Sequence, residues 1–212
     1  VRLIGTHAGL SSGYGPTHNT IIEFGVMNSL PNMTMVAPCD AEQCKKLLRK
    51  SLNYPKPIYI RIPRGEEPLV YAADHEYEYE IGKAIVIQEG TDLNIIATGM
   101  GVYNAVQAAR QLEEKGYSVG VIDMHTIKPI DKDAIVRAAK LSGNIITVED
   151  HNILGGLGSI VADTLLEAGV FAKLKKIGVP DQFIEFGYPE EIYPYLGMDA
   201  NGIYKTALEV LK

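Results

Sequence analysis

A chain of 212 residues, 46% of them apolar and 22% charged, can build one or two packed cores and is too apolar to stay disordered. Its formal net charge of −6 leaves no broad basic patch, so no nucleic acid is expected as a partner, and no run approaches the ~18 apolar residues of a membrane span. Two cysteines, Cys39 and Cys44, exclude a disulfide scaffold and match no common zinc spacing, so a reducing, cytoplasmic setting is expected. The chain opens with Val1-Arg2-Leu3-Ile4-Gly5, a strand already under way with no initiator methionine, as in a piece of a longer polypeptide.

Short β-branched runs then alternate with amphipathic stretches. Leu3-Ile4, Met33 to Val36 and Ile58 to Ile62 predict strands; Asn19 to Leu30 and Ala41 to Asn53 predict helices. Asp40 is placed to cap the second helix, and Gln43 stands at the capping-box position. Residues 74–82 carry an acidic, tyrosine-dotted run that reads as an exposed linker, or as an acidic docking strip. Strands follow at Ala84 to Gln88, Leu93 to Thr98, Val119 to Asp123, Ile145 to Glu149 and Lys176 to Val179. Helices lie between them at Val102 to Lys115, up to Leu141 behind an N-cap at Asp131, at Ser159 to Ala168, and behind an N-cap at Asp199. The alternation predicts an α/β protein of two three-layer units with mostly parallel sheets, the first one incomplete: residues 1–73, a linker 74–82, and residues 83–212.

Three segments carry candidate chemistry. Gly5 to Asn19, with four glycines, leaves the carboxyl end of a strand, where ligands bind in open α/β sheets. Thr17 is a plausible N-cap there. It puts His18 in a first helical turn, where the dipole favours an uncharged imidazole that can donate a hydrogen bond. His7 sits at the strand end and can face the same space; the alternative is two unrelated loop histidines. Arg64, between a strand and Gly65, offers a fork for phosphate or carboxylate, or a surface ion pair, and Arg61 reads as structural. Gly155-Gly156-Leu157-Gly158 lacks the dinucleotide spacing and reads as close helix–strand packing. His75 and His125 read as ordinary linker and turn residues.

Taken together, the segments resemble transketolase-like thiamine diphosphate enzymes, in their C-terminal section. The resemblance is carried by Gly15-Pro16-Thr17-His18, Pro57 to Gly65, Glu149-Asp150-His151 with its glycines, Val179 to Phe183, and Leu196 to Ile203. It implies that His18 is catalytic and that His7, His18 and Arg64 bind substrate, Arg64 through the sugar phosphate. It also implies ketol transfer between sugar phosphates, a homodimer, and thiamine diphosphate with Mg or Ca held mainly by an N-terminal section that also supplies the catalytic glutamate. Tyr14 departs from the acidic residue usual before this loop. The 1-deoxyxylulose-5-phosphate synthases, the β-type subunits of 2-oxo acid dehydrogenases and a non-catalytic dimerisation domain are the alternatives.

Overall fold

In the computed structural model, which describes residues 1–10, 15, 17–64, 67–72, 76–185 and 187–212, the apolar runs assemble into two sheets. The first holds β1 (Arg2–Thr6), β2 (Thr34–Val36) and β3 (Ile58–Ile62) in the order β1-β3-β2, all parallel. Helices α1 (Glu23–Asn28) and α2 (Ala41–Ser51) lie between these strands in sequence. A further strand, β7 (Thr126–Lys128), comes from far along the chain and pairs antiparallel with β2. The first sheet is therefore extended by a strand lent from the second half.

The second sheet runs β4-β6-β5-β8-β9, with β4 (Ile85–Gln88), β5 (Leu93–Ala97), β6 (Val119–Asp123), β8 (Asn144–Asn152) and β9 (Lys173–Val179). Only β4 is antiparallel. β5 and β6 are buried along their whole length, as parallel strands covered on both faces must be. Adjacent residues serve opposite faces. Ile95 packs with the residues of α3 (Gly101–Glu113) and α7 (Ala200–Val210), among them Val102, Leu112 and Ile203. Ile96 packs with those of α4 (Lys132–Ser142) and α5 (Leu157–Glu167), among them Ile135 and Val161. Two mostly parallel sheets with flanking helices are the architecture that the alternation predicts.

The predicted caps form. Asp40 Oδ1 accepts from Gln43 N at 2.7 Å, Asp131 Oδ1 from Ala134 N at 3.1 Å, and Asp199 Oδ1 from Gly202 N at 2.9 Å. The Gln43 side chain does not close a capping box: its Oε1 accepts from Cys39 N at 2.8 Å, and its Nε2 donates to Asp123 Oδ2 at 2.5 Å. Helix α6 (Pro189–Tyr195), with Pro194 inside it, is too short and irregular for periodicity to announce. No helix among the described residues is long and apolar enough to cross a membrane.

Two expectations are corrected. The tyrosine-dotted segment is anchored rather than freely exposed. Glu76, Glu78 and Glu80 face solvent while Tyr79 is buried and Tyr77 stacks on buried Tyr71 at 4.3 Å. Tyr71 donates to Asp123 Oδ2 at 2.8 Å, and Asp40 Oδ2 accepts from the backbone of Val70 and Tyr71, each at 2.9 Å. The period of two places the acidic residues outward and the rings inward. His75 lies outside the described residues, as does Tyr14.

The second correction is His125, which is fully buried between the two sheets. It stacks on Tyr79 at 4.2 Å, and its carbonyl accepts from Ala37 N at 2.8 Å. Thr126 Oγ1 lies 3.0 Å from its Nδ1, and Nε2 has no partner among the described residues. Burial pushes its pKa down to about 4, partly offset by Asp131. A depressed imidazole pKa means that the unfolded chain binds more protons between that value and the ordinary 6.5, so this group's contribution to stability falls as the pH drops through that window. Replacing His125 with Phe, which keeps a stacking ring, should remove the acid-side loss. The variant should gain about 3 kcal/mol relative to the parent on going from pH 6.5 to pH 4, read as the difference between their urea midpoints. Parallel pH curves for the two proteins would show that His125 does not titrate in this way.

Candidate active site

Strands β1 and β3 run parallel with Thr6 opposite Ile62, so His7 and Arg64 leave the carboxyl ends of neighbouring strands. His7 has φ 59, a left-handed conformation that turns the chain off the strand at once. Ala8, Gly9 and Leu10 then dive inward and are buried, and Gly9 N donates to Thr20 O at 2.8 Å. His7 and His18 each stand just before one end of that bond. His7, His18 and Arg64 are all exposed. His7 and Arg64 thus leave neighbouring strand ends, His18 lies two residues from the Gly9–Thr20 bond, and none of the three is enclosed.

The local setting of His18 differs from the expectation. Helix α1 begins at Glu23 with Ile22 at the N-cap, and Thr17 to Ile22 are not helical. His18 lies in a turn in which its N–H and that of Asn19 both donate to Gly15 O, at 3.0 and 3.1 Å. The Thr17 hydroxyl lies 2.9 Å from His18 Nδ1 instead of capping a helix. A helix dipole acts only within its first turn, so it has no bearing on the His18 imidazole.

Beneath this edge lies a buried ionic network, in which the sequence marks Arg61 as structural and Asp150-His151 only as part of the family resemblance. Arg61 Nε meets Glu23 Oε1 at 2.5 Å, and its Nη2 donates to the Asp150 carbonyl at 2.5 Å. The guanidinium also covers the Phe24 ring at 4.8 Å. The Asp150 carboxylate accepts from Leu10 N with both oxygens, at 3.1 and 3.0 Å, and from the Tyr193 hydroxyl at 3.0 Å. His151 Nε2 accepts from Phe24 N at 3.1 Å while Nδ1 lies 2.7 Å from the Asn152 carbonyl. An acceptor on one nitrogen and a donor on the other define the neutral, Nδ1-protonated tautomer. Burial pushes the His151 pKa down, in keeping with that form. The signal for this network was present in the sequence: Glu23 interrupts an apolar run, and Glu149-Asp150-His151 follows the mostly apolar run Ile145 to Val148.

The glycine-rich turn before α5 performs the packing role expected of it. A Cβ on Gly156 would collide with Glu149 Oε2, and one on Gly158 would lie 2.7 Å from Thr147 Oγ1. The first N–H groups of α5 are taken by the chain's own carboxylate. Leu157 N donates to Glu149 Oε2 at 2.6 Å and Gly158 N to Oε1 at 2.8 Å. Burial pushes Glu149 up to about 7 against these two donors and the charges of Lys176 and Arg61. The helix N-terminus that would otherwise suit a phosphate is therefore filled. Among the described residues no group of three or more His, Cys, Asp or Glu is placed to hold a metal ion. These residues do not fit the diphosphate and metal end of a thiamine cofactor.

Known proteins match this chain in sequence and in fold. A family model for the transketolase C-terminal domain matches residues 82–203, and one for the transketolase pyrimidine binding domain matches residues 1–68. An apulose-4-phosphate transketolase subunit of Phocaeicola vulgatus is 44% identical over 213 residues, covering 100% of this chain and 67% of that protein. A putative transketolase C-terminal section of Methanocaldococcus jannaschii is 38% identical over 213 residues, covering 100% of this chain and 66% of that one. The chain thus spans about two thirds of the length of these relatives. A solved structure described as a split gene transketolase, inactive beta4 tetramer, superposes with a TM-score of 0.90 at 34% identity, covering 100% of this chain and 67% of that one.

Proposed function

The chain belongs to the transketolase family, and on that premise we propose that it is the C-terminal section of a thiamine diphosphate-dependent enzyme that moves a two-carbon ketol unit between sugar phosphates. The observation that carries this reading is the common edge of β1 and β3, from which His7 and Arg64 emerge side by side with the His18 turn folded back to the same neck. A guanidinium presents a planar fork to a phosphate, and imidazole N–H groups donate to the hydroxyl and carbonyl oxygens of a sugar. Arg64 anchors the phosphate end; His7 and His18 meet the reacting end, with His18 the catalytic residue.

The cofactor's diphosphate and its Mg or Ca ion fall to an N-terminal section; supporting this, the described residues hold no group of three metal-ligating side chains, and the N-terminus of α5 is filled by Glu149. That a 44% identical relative is named as one subunit of a transketolase, and that the matching solved structure is described as inactive, supports this division. The two domains are residues 1–73 and 83–212 with 74–82 between them, in a cytoplasmic protein. A homodimer is supported by three exposed apolar side chains in and beside α1, Ile22, Val26 and Leu30. Light scattering at micromolar concentration should show at least two copies, and a monomer would contradict that assignment.

The test combines the chain with its N-terminal section, thiamine diphosphate and Mg, and offers a panel of substrates. Ketol transfer from a ketose phosphate to an aldose phosphate should appear only when both sections are present. Turnover that ignores the second section would refute the division. Turnover of pyruvate with glyceraldehyde 3-phosphate alone, or capture of a lipoyl domain, would reassign the chemistry. Replacing Arg64 with Leu should raise the KM for a phosphorylated acceptor at least 10-fold and leave an unphosphorylated one nearly unchanged. Equal effects on both would remove Arg64 from the phosphate site.

A further inference from the structure

The loop carrying His7 and His18 is tied at its neck, and what ties it is the far end of a strand from the other sheet. The Gly9–Thr20 bond closes the neck. Three consecutive residues of β8 hold its two sides. Asp150 takes the Leu10 N–H on one side, Asn152 N donates to Ile21 O at 2.8 Å on the other, and His151 Nε2 takes the Phe24 N–H just beyond. The pairing of β8 with β9 shifts register between Val148 and Asn152, so these residues leave the regular ladder and turn toward the loop. Such irregularities re-aim side chains near functional sites. The anchor itself is firm: β8 lies between β5 and β9, and Asp150 is buried and bonded to Tyr193 and Arg61 as well as to Leu10. The fit is close enough to dictate a residue type. A Cβ on Gly9, at φ +82, would collide with Asp150 Oδ2.

We propose that Asp150, His151 and Asn152 form a positioning clamp for the substrate loop, with Asp150 the positioning residue that sets where His7 and His18 meet the sugar. The proposal rests on the reading of His18 as a substrate contact. Loops are mobile unless tied down, and a reacting group displaced by about 1 Å can lose on the order of 10²-fold in rate. A carboxylate suits the task because a backbone N–H bonds to it more strongly than to a neutral oxygen. The second sheet thereby acts on the reaction through the first without touching substrate.

Two measurements test this. The first needs no catalysis: residue-resolved amide hydrogen exchange on the full 212-residue chain. Asp150→Asn, which keeps the side chain's shape and removes its charge, should speed exchange of the Leu10 and Gly9 amides about 10-fold or more while the β5 amides keep their protection. Tyr193→Phe, which removes one bond to Asp150 and leaves the loop untouched, is a milder second variant and should speed the same amides by a smaller factor. Unchanged exchange at Gly9 and Leu10 in both variants, or a rise spread evenly over the chain, would overturn the clamp.

The second measurement is turnover of the complete assembly for Asp150→Asn, His18→Ala and the double variant. With His18 gone only the positioning of His7 keeps its value, so the double variant should lose clearly less than the product of the two single losses. Losses that multiply would overturn the proposal. If His18→Ala alone leaves turnover intact, the reading of His18 falls, while the exchange result still reports on the clamp.

Discussion

Replacing Arg61 with Met should destabilise the chain by about 3–5 kcal/mol, the range expected when one partner of a buried ion pair is removed and the other stays behind. Both partners are nearly inaccessible, Arg61 at 5% and Glu23 at 8% exposure, so water cannot take over the solvation of the orphaned Glu23 carboxylate. The same substitution removes the donor to the Asp150 carbonyl and the cation from the Phe24 ring. For a chain of this size the melting temperature should fall by on the order of 10 °C. Adding Glu23→Leu should not add a second penalty of equal size, because the pair then leaves no unmatched charge between its two members. Urea midpoints at constant slope give the comparison. A change below about 0.5 kcal/mol for Arg61→Met would mean that the bridge does not form in solution.

The network matters for function because of what it joins. Glu23 opens the helix that follows the His18 turn, Arg61 lies on the strand that delivers Arg64, and Asp150 belongs to the other sheet. A guanidinium with two acceptors and an aromatic face holds three elements of the candidate site at once. Arg61→Lys should therefore not rescue the variant, since an ammonium is a point charge without the planar fork.

His18→Ala in the complete assembly should lower kcat/KM by about 10²–10⁴, the usual contribution of a positioned proton donor or acceptor. The effect should fall mostly on kcat, because the phosphate is still held by Arg64. The Thr17 hydroxyl, 2.9 Å from Nδ1, orients the ring, so Thr17→Val should give a smaller loss in the same direction. His18→Asn, which still donates a hydrogen bond, should fall between the two. A fully active His18→Ala assembly would favour a dimerisation role for the chain.

The α/β class, most of the strands and three of the helix caps follow from sequence alone, because apolar period and capping chemistry are local. Asp40, Asp131 and Asp199 lie within three residues of the amides they cap. The glycine-rich turn before α5 was also legible, since tight packing is what a glycine cluster serves when no dinucleotide spacing accompanies it. His7 and Arg64 could be singled out because each follows a strand end, and His18 because it closes the glycine-rich segment.

The tertiary structure decided everything that depends on residues distant in the chain. It set β7 beside β2, buried His125 under Tyr79, and brought Glu23, Arg61 and Asp150 within bonding distance. It also moved the start of α1 from the expected Asn19 to Glu23, since the segment before it spends its hydrogen bonds on Gly9, Gly15 and Asn152 rather than on a helical turn. A sequence shows that a buried charge needs a partner; only the packing of one sheet against the other shows which partner it has.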